Sequence, residues 1–135
     1  MGSGDEAKVV VLVVQDFSTR KALSGLLMAA GIEPLPVASG LELVSRMRVD
    51  RPALVVVDRD EIFCDPLSLV HSVAGGHASF PQTPVAVLSS SRSLEDMQAY
   101  LEAGAADFFT KPLRPGSFIR RVQEILRSND EESVA

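Results

Sequence analysis

Three short runs within Lys8–Val14, Ala53–Val57 and Val85–Leu88 are almost pure valine, leucine and alanine, with no polar residue at alternate positions. A strand with one wet face alternates apolar and polar side chains. These do not, so both faces must be covered, as in a parallel sheet clad by helices. Helix-like segments separate the runs. Ser18–Ala30 carries Leu23, Leu26, Leu27 and Ala30 on one face, with Gly31 placed as its cap. Ile32–Val37 is a weaker strand broken by Pro34 and Pro36, which suits a sheet edge. Ser39-Gly40-Leu41-Glu42 has the capping-box pattern and opens a helix presenting Leu43, Val44 and Met47, ended by Asp50-Arg51-Pro52. Asp65-Pro66 starts a helix to Ala74, stopped by Gly75-Gly76. Ser93–Ala103 is a further helix capped by Gly104, Ala106–Thr110 a fifth strand, and Pro115–Arg127 a last helix with Phe118, Ile119, Val122, Ile125 and Leu126 on a broad apolar face. The alternation predicts an α/β fold: a single doubly wound five-stranded parallel sheet, (βα)5, for which the flavodoxin-like order 2-1-3-4-5 is the common solution.

At 135 residues the chain is long enough for one domain and too short for two ordinary ones. The net charge of −5 argues against nucleic acid as a direct partner of this segment. A single cysteine, Cys64, excludes an internal disulfide and a cysteine-built metal site, and fits a reducing cytoplasm. No apolar run approaches the roughly 18–20 residues of a membrane helix. Met1–Glu6 is polar and acidic, unlike a signal peptide. The expected layout is a disordered segment over 1–7, a domain over 8–128, and an acidic tail or the start of a linker over 129–135.

In open parallel sheets, ligands gather beyond the carboxyl ends of the strands. Those ends deliver Gln15-Asp16, Asp58-Arg59-Asp60, Ser89-Ser90-Ser91 and Thr110-Lys111-Pro112. In the order 2-1-3-4-5 the four donating strands are neighbours, which sets two carboxylates, a hydroxyl and an ammonium around one crevice. Oxygen ligands in that number suit Mg²⁺, which takes one or two carboxylates plus waters and phosphate oxygens. A metal and a lysine together can neutralise charge on a transferring phosphoryl group. Each residue also has a plainer reading. Asp16 can simply cap the first helix, Asp58 and Ser89 can be turn residues, and Lys111 an ordinary surface lysine. Phe108 and Phe109 alternate along a strand, so one belongs in the core whatever the other does. His71 and His77 lack a partner at metal spacing and read as solvated, and nothing marks Cys64 as a nucleophile.

The acidic turn after strand one, the apolar run ending in Asp58, Leu88-Ser89, and Ala103-Gly104-Ala105-Ala106-Asp107-Phe108 leading to Thr110-Lys111-Pro112 stand in a distinctive order. On these signals the chain resembles the receiver domain of two-component response regulators, over nearly everything from Lys8 to Ser128. The resemblance implies that Asp58 accepts a phosphoryl group from a histidine kinase or phosphotransfer protein in an Mg²⁺-dependent reaction. It makes Asp16, Asp58 and the backbone carbonyl of Asp60 the metal ligands, so that the side chain of Asp60 is immaterial. It pairs Lys111 with Asp58 at rest, makes the following bond to Pro112 cis, and gives Ser89 and Phe108 the switching roles. It implies a cytoplasmic signalling domain that assists its own phosphorylation and dephosphorylation, is not otherwise an enzyme, and acts on a downstream effector domain or protein. Homodimerisation through the fourth and fifth helices is family behaviour.

Three positions depart from the family pattern: Gln15 stands where a first acidic residue is usual, the loop Glu61-Ile62-Phe63-Cys64-Asp65 lacks a Pro-Gly turn, and Arg114 replaces an acidic helix cap. Gln15 should weaken Mg²⁺ binding or alter phosphorylation kinetics, with Asp60 and Glu61 partly restoring the charge. It favours an alternative, a receiver fold acting as a phosphorylation-independent interaction module. A remoter rival is an aspartyl-phosphate phosphatase of the haloacid-dehalogenase type, whose DxDx motif Asp58-Arg59-Asp60-Glu61 imitates. That motif should follow the first strand, and two strand–helix units precede it here.

Overall fold

The computed structural model describes residues 7–77 and 80–134, with side chains described to residue 129. The disordered segment expected over 1–7 therefore falls, except for Ala7, outside the described residues. Ten elements alternate in chain order: β1 (Val9–Val13), α1 (Phe17–Ala29), β2 (Glu33–Pro36), α2 (Gly40–Asp50), β3 (Leu54–Asp58), α3 (Pro66–Gly75), β4 (Val85–Ser89), α4 (Leu94–Glu102), β5 (Asp107–Thr110) and α5 (Pro115–Val134). The strands form one parallel sheet in the order β2-β1-β3-β4-β5, as the alternation predicts. The proline-broken strand β2 is indeed at an edge, paired among the described residues with β1 alone.

The absence of alternation in the strands has its expected cause. Val10, Leu12, Leu54, Val56, Ala86 and Leu88 point to one face, where they meet Leu23 and Leu27 of α1 and Phe118, Val122, Ile125 and Leu126 of α5. The intervening Val11, Val13, Val55, Val57, Val85 and Val87 point to the other, against Leu43 and Met47 of α2, Leu69, Val70 and Val73 of α3, and Tyr100 of α4. Phe109 joins the first layer edge-on to Phe118, with ring centroids 5.1 Å apart, and Phe108 joins the second beside Tyr100 at 5.8 Å. The two phenylalanines thus serve opposite layers.

Helix ends follow local chemistry, with some differences of detail. Asp16, Ser39 and Ser93 cap α1, α2 and α4 through their side chains. In the capping box, Glu42 reaches past Ser39 to accept from the Ala38 N–H at 2.7 Å. Asp65 stands at the cap position of α3 but accepts from the Ser68 hydroxyl at 2.6 Å and from no helix N–H. Arg51 ends α2 in the left-handed region, at φ 44°. Gly104 follows α4 at φ 110°, and a Cβ there would sit 3.0 Å from that of Ala74. The last helix continues to Val134, beyond the Arg127 where its apolar face stops.

Candidate functional site

Parallel pairing aligns the strand ends. Val13 stands beside Val57, Asp58 beside Leu88, and Ser89 beside Thr110, so the residues that follow share one edge. Asp58 is the last residue of β3, and its side chain is only 1% exposed. An anion so placed requires partners. Lys111 supplies them: its Nζ donates to Oδ1 at 2.9 Å and Oδ2 at 2.8 Å. The Asp60 N–H donates to Oδ1 at 3.0 Å. Ser89 is fully buried one strand over, its Oγ accepting from the Ser91 N–H at 2.9 Å. The Lys111–Pro112 peptide bond is cis.

Asp16 caps α1, with its Oδ2 accepting from the Thr19 N–H at 2.8 Å and the Thr19 hydroxyl at 2.7 Å. Those two bonds, the hydroxyl's first, hold its carboxyl below the ordinary value, with help from the charges of Lys111 and Arg20. The capping role is therefore real, and the carboxylate still lies within the field of Lys111. Beside it, Gln15 Nε2 is buried with no hydrogen-bond partner among the described residues.

The side chain of Asp60 takes a larger part than expected. Its Oδ2 lies 3.0 Å from Lys111 Nζ, so one ammonium bridges two carboxylates. The same carboxylate accepts from the Ser90 N–H at 2.9 Å, tying the loop after β3 to the loop after β4. Burial pushes the Asp60 carboxyl up, but Lys111 and the Ser90 amide outweigh it and leave the group below its ordinary value. Burial likewise lowers the Lys111 ammonium, and its bonds to Asp58 and Asp60 more than reverse this.

Sequence reasoning also missed Arg59, whose Nη2 donates to Asp96 Oδ2 in the first turn of α4 at 3.3 Å. The Ser91 hydroxyl donates to the same Oδ2 at 2.6 Å. Nothing in the chain marks a pair 37 positions apart. Elsewhere, His71 and His77 are exposed as expected but stack on each other at 5.0 Å. Burial and Asp65 push the exposed Cys64 thiol up, away from nucleophilic character.

Among the described residues no three His, Cys, Asp or Glu side chains converge as a ready metal cage. The donor set still fits a hard cation that needs one or two carboxylates and keeps its waters. Asp58 ends β3 and Asp16 follows its neighbour β1, and a Gln15 amide turned end for end would present an oxygen where Nε2 lies without a partner among the described residues. An open groove of about 330 Å³ runs beside Lys111 and Pro112 between Thr19, Leu23 and Leu26 of α1 and Pro115 of α5. No helix of the described residues is long and apolar enough to cross a membrane.

Residues 10–123 match the family model of the response regulator receiver domain. The chain belongs to that family. It is 31% identical over 127 residues to the transcriptional regulatory protein PrrA of Mycobacterium tuberculosis, covering 94% of this chain and 53% of PrrA. It is 25% identical over 123 residues to the DNA-binding response regulator MtrA of the same species, covering 91% and 52%. The receiver domain thus spans about half the length of these relatives. A solved response regulator from Thermotoga maritima superposes with a TM-score of 0.79 at 27% identity, over 90% of this chain and 99% of that one.

Proposed function

We propose that this receiver domain accepts a phosphoryl group on Asp58 and signals by the change of shape that follows. The observation that carries this reading is the buried Asp58 carboxylate, held at both oxygens by Lys111 Nζ at 2.9 and 2.8 Å. A structural carboxylate gains little from so expensive a position, whereas a nucleophile gains orientation and a cation beside the incoming phosphorus. An Asp58 oxygen would form the new P–O bond as the P–N bond of a phosphohistidine breaks, its electron pair staying on the imidazole. Lys111 would pass from the carboxylate to a phosphoryl oxygen. Ser89 would turn its hydroxyl toward the same group, and Phe108 would move inward behind it.

Asp16, Asp58 and the carbonyl of Asp60 are the residues that would hold Mg²⁺, which when bound supplies positive charge against the phosphoryl oxygens. A histidine kinase or phosphotransfer protein is the natural donor. The groove beside Lys111 gives such a partner an apolar surface next to the lysine that holds the reacting carboxylate. The relatives are about twice as long and are named as a transcriptional regulator and a DNA-binding regulator. That supports an effector domain as the output, with DNA contact made outside this acidic segment, in the cytoplasm. Leu94 and Leu101 on α4 are exposed and offer apolar surface for dimerisation through α4 and α5.

The second reading, an interaction module that works without phosphate, has Gln15 in its favour, whose Nε2 is buried without a hydrogen-bond partner among the described residues. Incubation with acetyl phosphate and Mg²⁺, followed by intact mass, separates the two. A gain of one phosphoryl group that vanishes in Asp58→Asn is expected. An unmodified chain, with Asp58→Asn fully active in cells, would establish the second reading instead.

A further inference from the structure

The phosphoacceptor site does not end at Lys111. From Asp58 the contacts run to Lys111, then to Asp60 at 3.0 Å, then to Arg59, whose Nη1 lies 3.8 Å from Asp60 Oδ1. Arg59 continues to Asp96 at 3.3 Å, Asp96 to the Ser91 hydroxyl at 2.6 Å, and the Ser91 N–H to Ser89 Oγ at 2.9 Å. Charges alternate along the path, and its two ends are the phosphoacceptor and the hydroxyl buried beside it. Its middle holds the first turn of α4, where Asp96 also donates its N–H to the Ser93 cap. Arg59 is therefore shared between Asp60, a site residue, and two residues of α4, Asp96 and the Tyr100 hydroxyl. Neither carboxylate contact is short, so a small change in charge decides between the two carboxylates.

We propose that Arg59 is a positioning residue that couples the chemical state of Asp58 to the placement of α4. The inference rests on Asp58 being the phosphoacceptor. Phosphorylation replaces a carboxylate of charge about −1 by a group of about −2 beside the ammonium. Lys111 follows the new charge and loosens from Asp60. The Asp60 carboxylate is left with Arg59 as its remaining side-chain cation among the described residues, and Arg59 moving toward Asp60 moves away from Asp96. Ser89, turning to the phosphoryl group, withdraws the acceptor of the Ser91 N–H. One event thus loosens Arg59 from Asp96 and frees the backbone of Ser91, whose hydroxyl carries the other contact to Asp96, and α4 carries the exposed Leu94 and Leu101.

Amide hydrogen exchange across Leu94–Glu102, with and without beryllofluoride and Mg²⁺, tests this, with ¹⁹F NMR reporting uptake. In the parent chain, loading should speed exchange of the first turns of α4 about tenfold, the scale of one lost charge-assisted hydrogen bond. Arg59→Gln and Asp96→Asn should show the fast rate already when unloaded, with no further change on loading, and the double variant should match either single one. Arg59→Lys, which keeps the charge, should restore most of the difference. That rescue separates coupling from a merely structural role. Uptake accompanied by an undiminished loaded-to-unloaded ratio in Arg59→Gln and Asp96→Asn would overturn the coupling alone. Loss of uptake in those variants would place the pair in the binding chemistry and also overturn it. Absence of uptake in the parent chain would remove the phosphoacceptor reading, and the coupling with it.

Discussion

At the scale of single residues, Lys111 decides how two anions can share one sheet edge. Removing it leaves Asp58 buried and Asp60 half-shielded without their ammonium. Lys111→Met should therefore cost about 3 kcal/mol of stability in urea unfolding. Asp58→Asn leaves the Lys111–Asp60 pair in place and should cost under about 1 kcal/mol. Equal losses would show that the ammonium is not shared. The pH profile follows from the same contacts. Asp60 is held below its ordinary 3.8, so its contribution is complete above that value and is lost as the pH falls through the folded pKa. Lys111 is held above its ordinary 10.5, so its contribution is complete below that value and is lost as the pH rises through the folded pKa. The urea midpoint should be highest inside that window, and Asp60→Asn should soften the acid limb; an acid limb unchanged in that variant would contradict the assignment. At Gln15 a carboxylate adds charge where the amide has none. Gln15→Asp should tighten Mg²⁺ binding about tenfold by calorimetry, and an unchanged affinity would refute this account of the position.

At the scale of elements, strained or crowded helix ends give the clearest tests. Arg51 occupies the left-handed region that costs a side chain about 1–2 kcal/mol, and glycine would relieve it at some entropic cost. Arg51→Gly should raise stability by about 0.5 kcal/mol. Gly104 combines φ 110° with Ala74 Cβ at 3.0 Å, so Gly104→Ala should lower it by about 2 kcal/mol. Thermal melts of the two variants should shift in opposite directions. The cap at Ser39 and the glycine after α1 were legible because a few neighbouring residues decide them, whereas Ser93 was read as the first residue of its helix and is its cap. The reach of Glu42 to Ala38 and the continuation of α5 to Val134 were not, because side-chain reach and continued helix beyond the apolar face leave no hydrophobic pattern to read.

At the scale of the whole molecule, the sheet is a divider between two apolar layers, and Phe118 is the largest of the α5 side chains, with Val122, Ile125 and Leu126, that fasten the helix to one of them. Phe118 is 1% exposed and meets Phe109 edge-on, so Phe118→Ala should cost about 3–5 kcal/mol in urea unfolding. A cost below about 1 kcal/mol would mean that α5 is held by other contacts. The sequence by itself determined the element order, the double burial of the strands, the edge place of β2 and the four strand ends that meet, because periodicity and strand-end position are local properties. It also put Asp58, Lys111 and Ser89 together, through a topology that short right-handed connections restrict to few choices. Only the tertiary structure decided that the Asp60 side chain shares Lys111, that Gln15 Nε2 is buried without a partner among the described residues, and that Arg59 reaches Asp96 across 37 positions. Those outcomes depend on which side chains loops bring within about 3 Å of one another, and no pattern of residue types along a chain encodes such a distance.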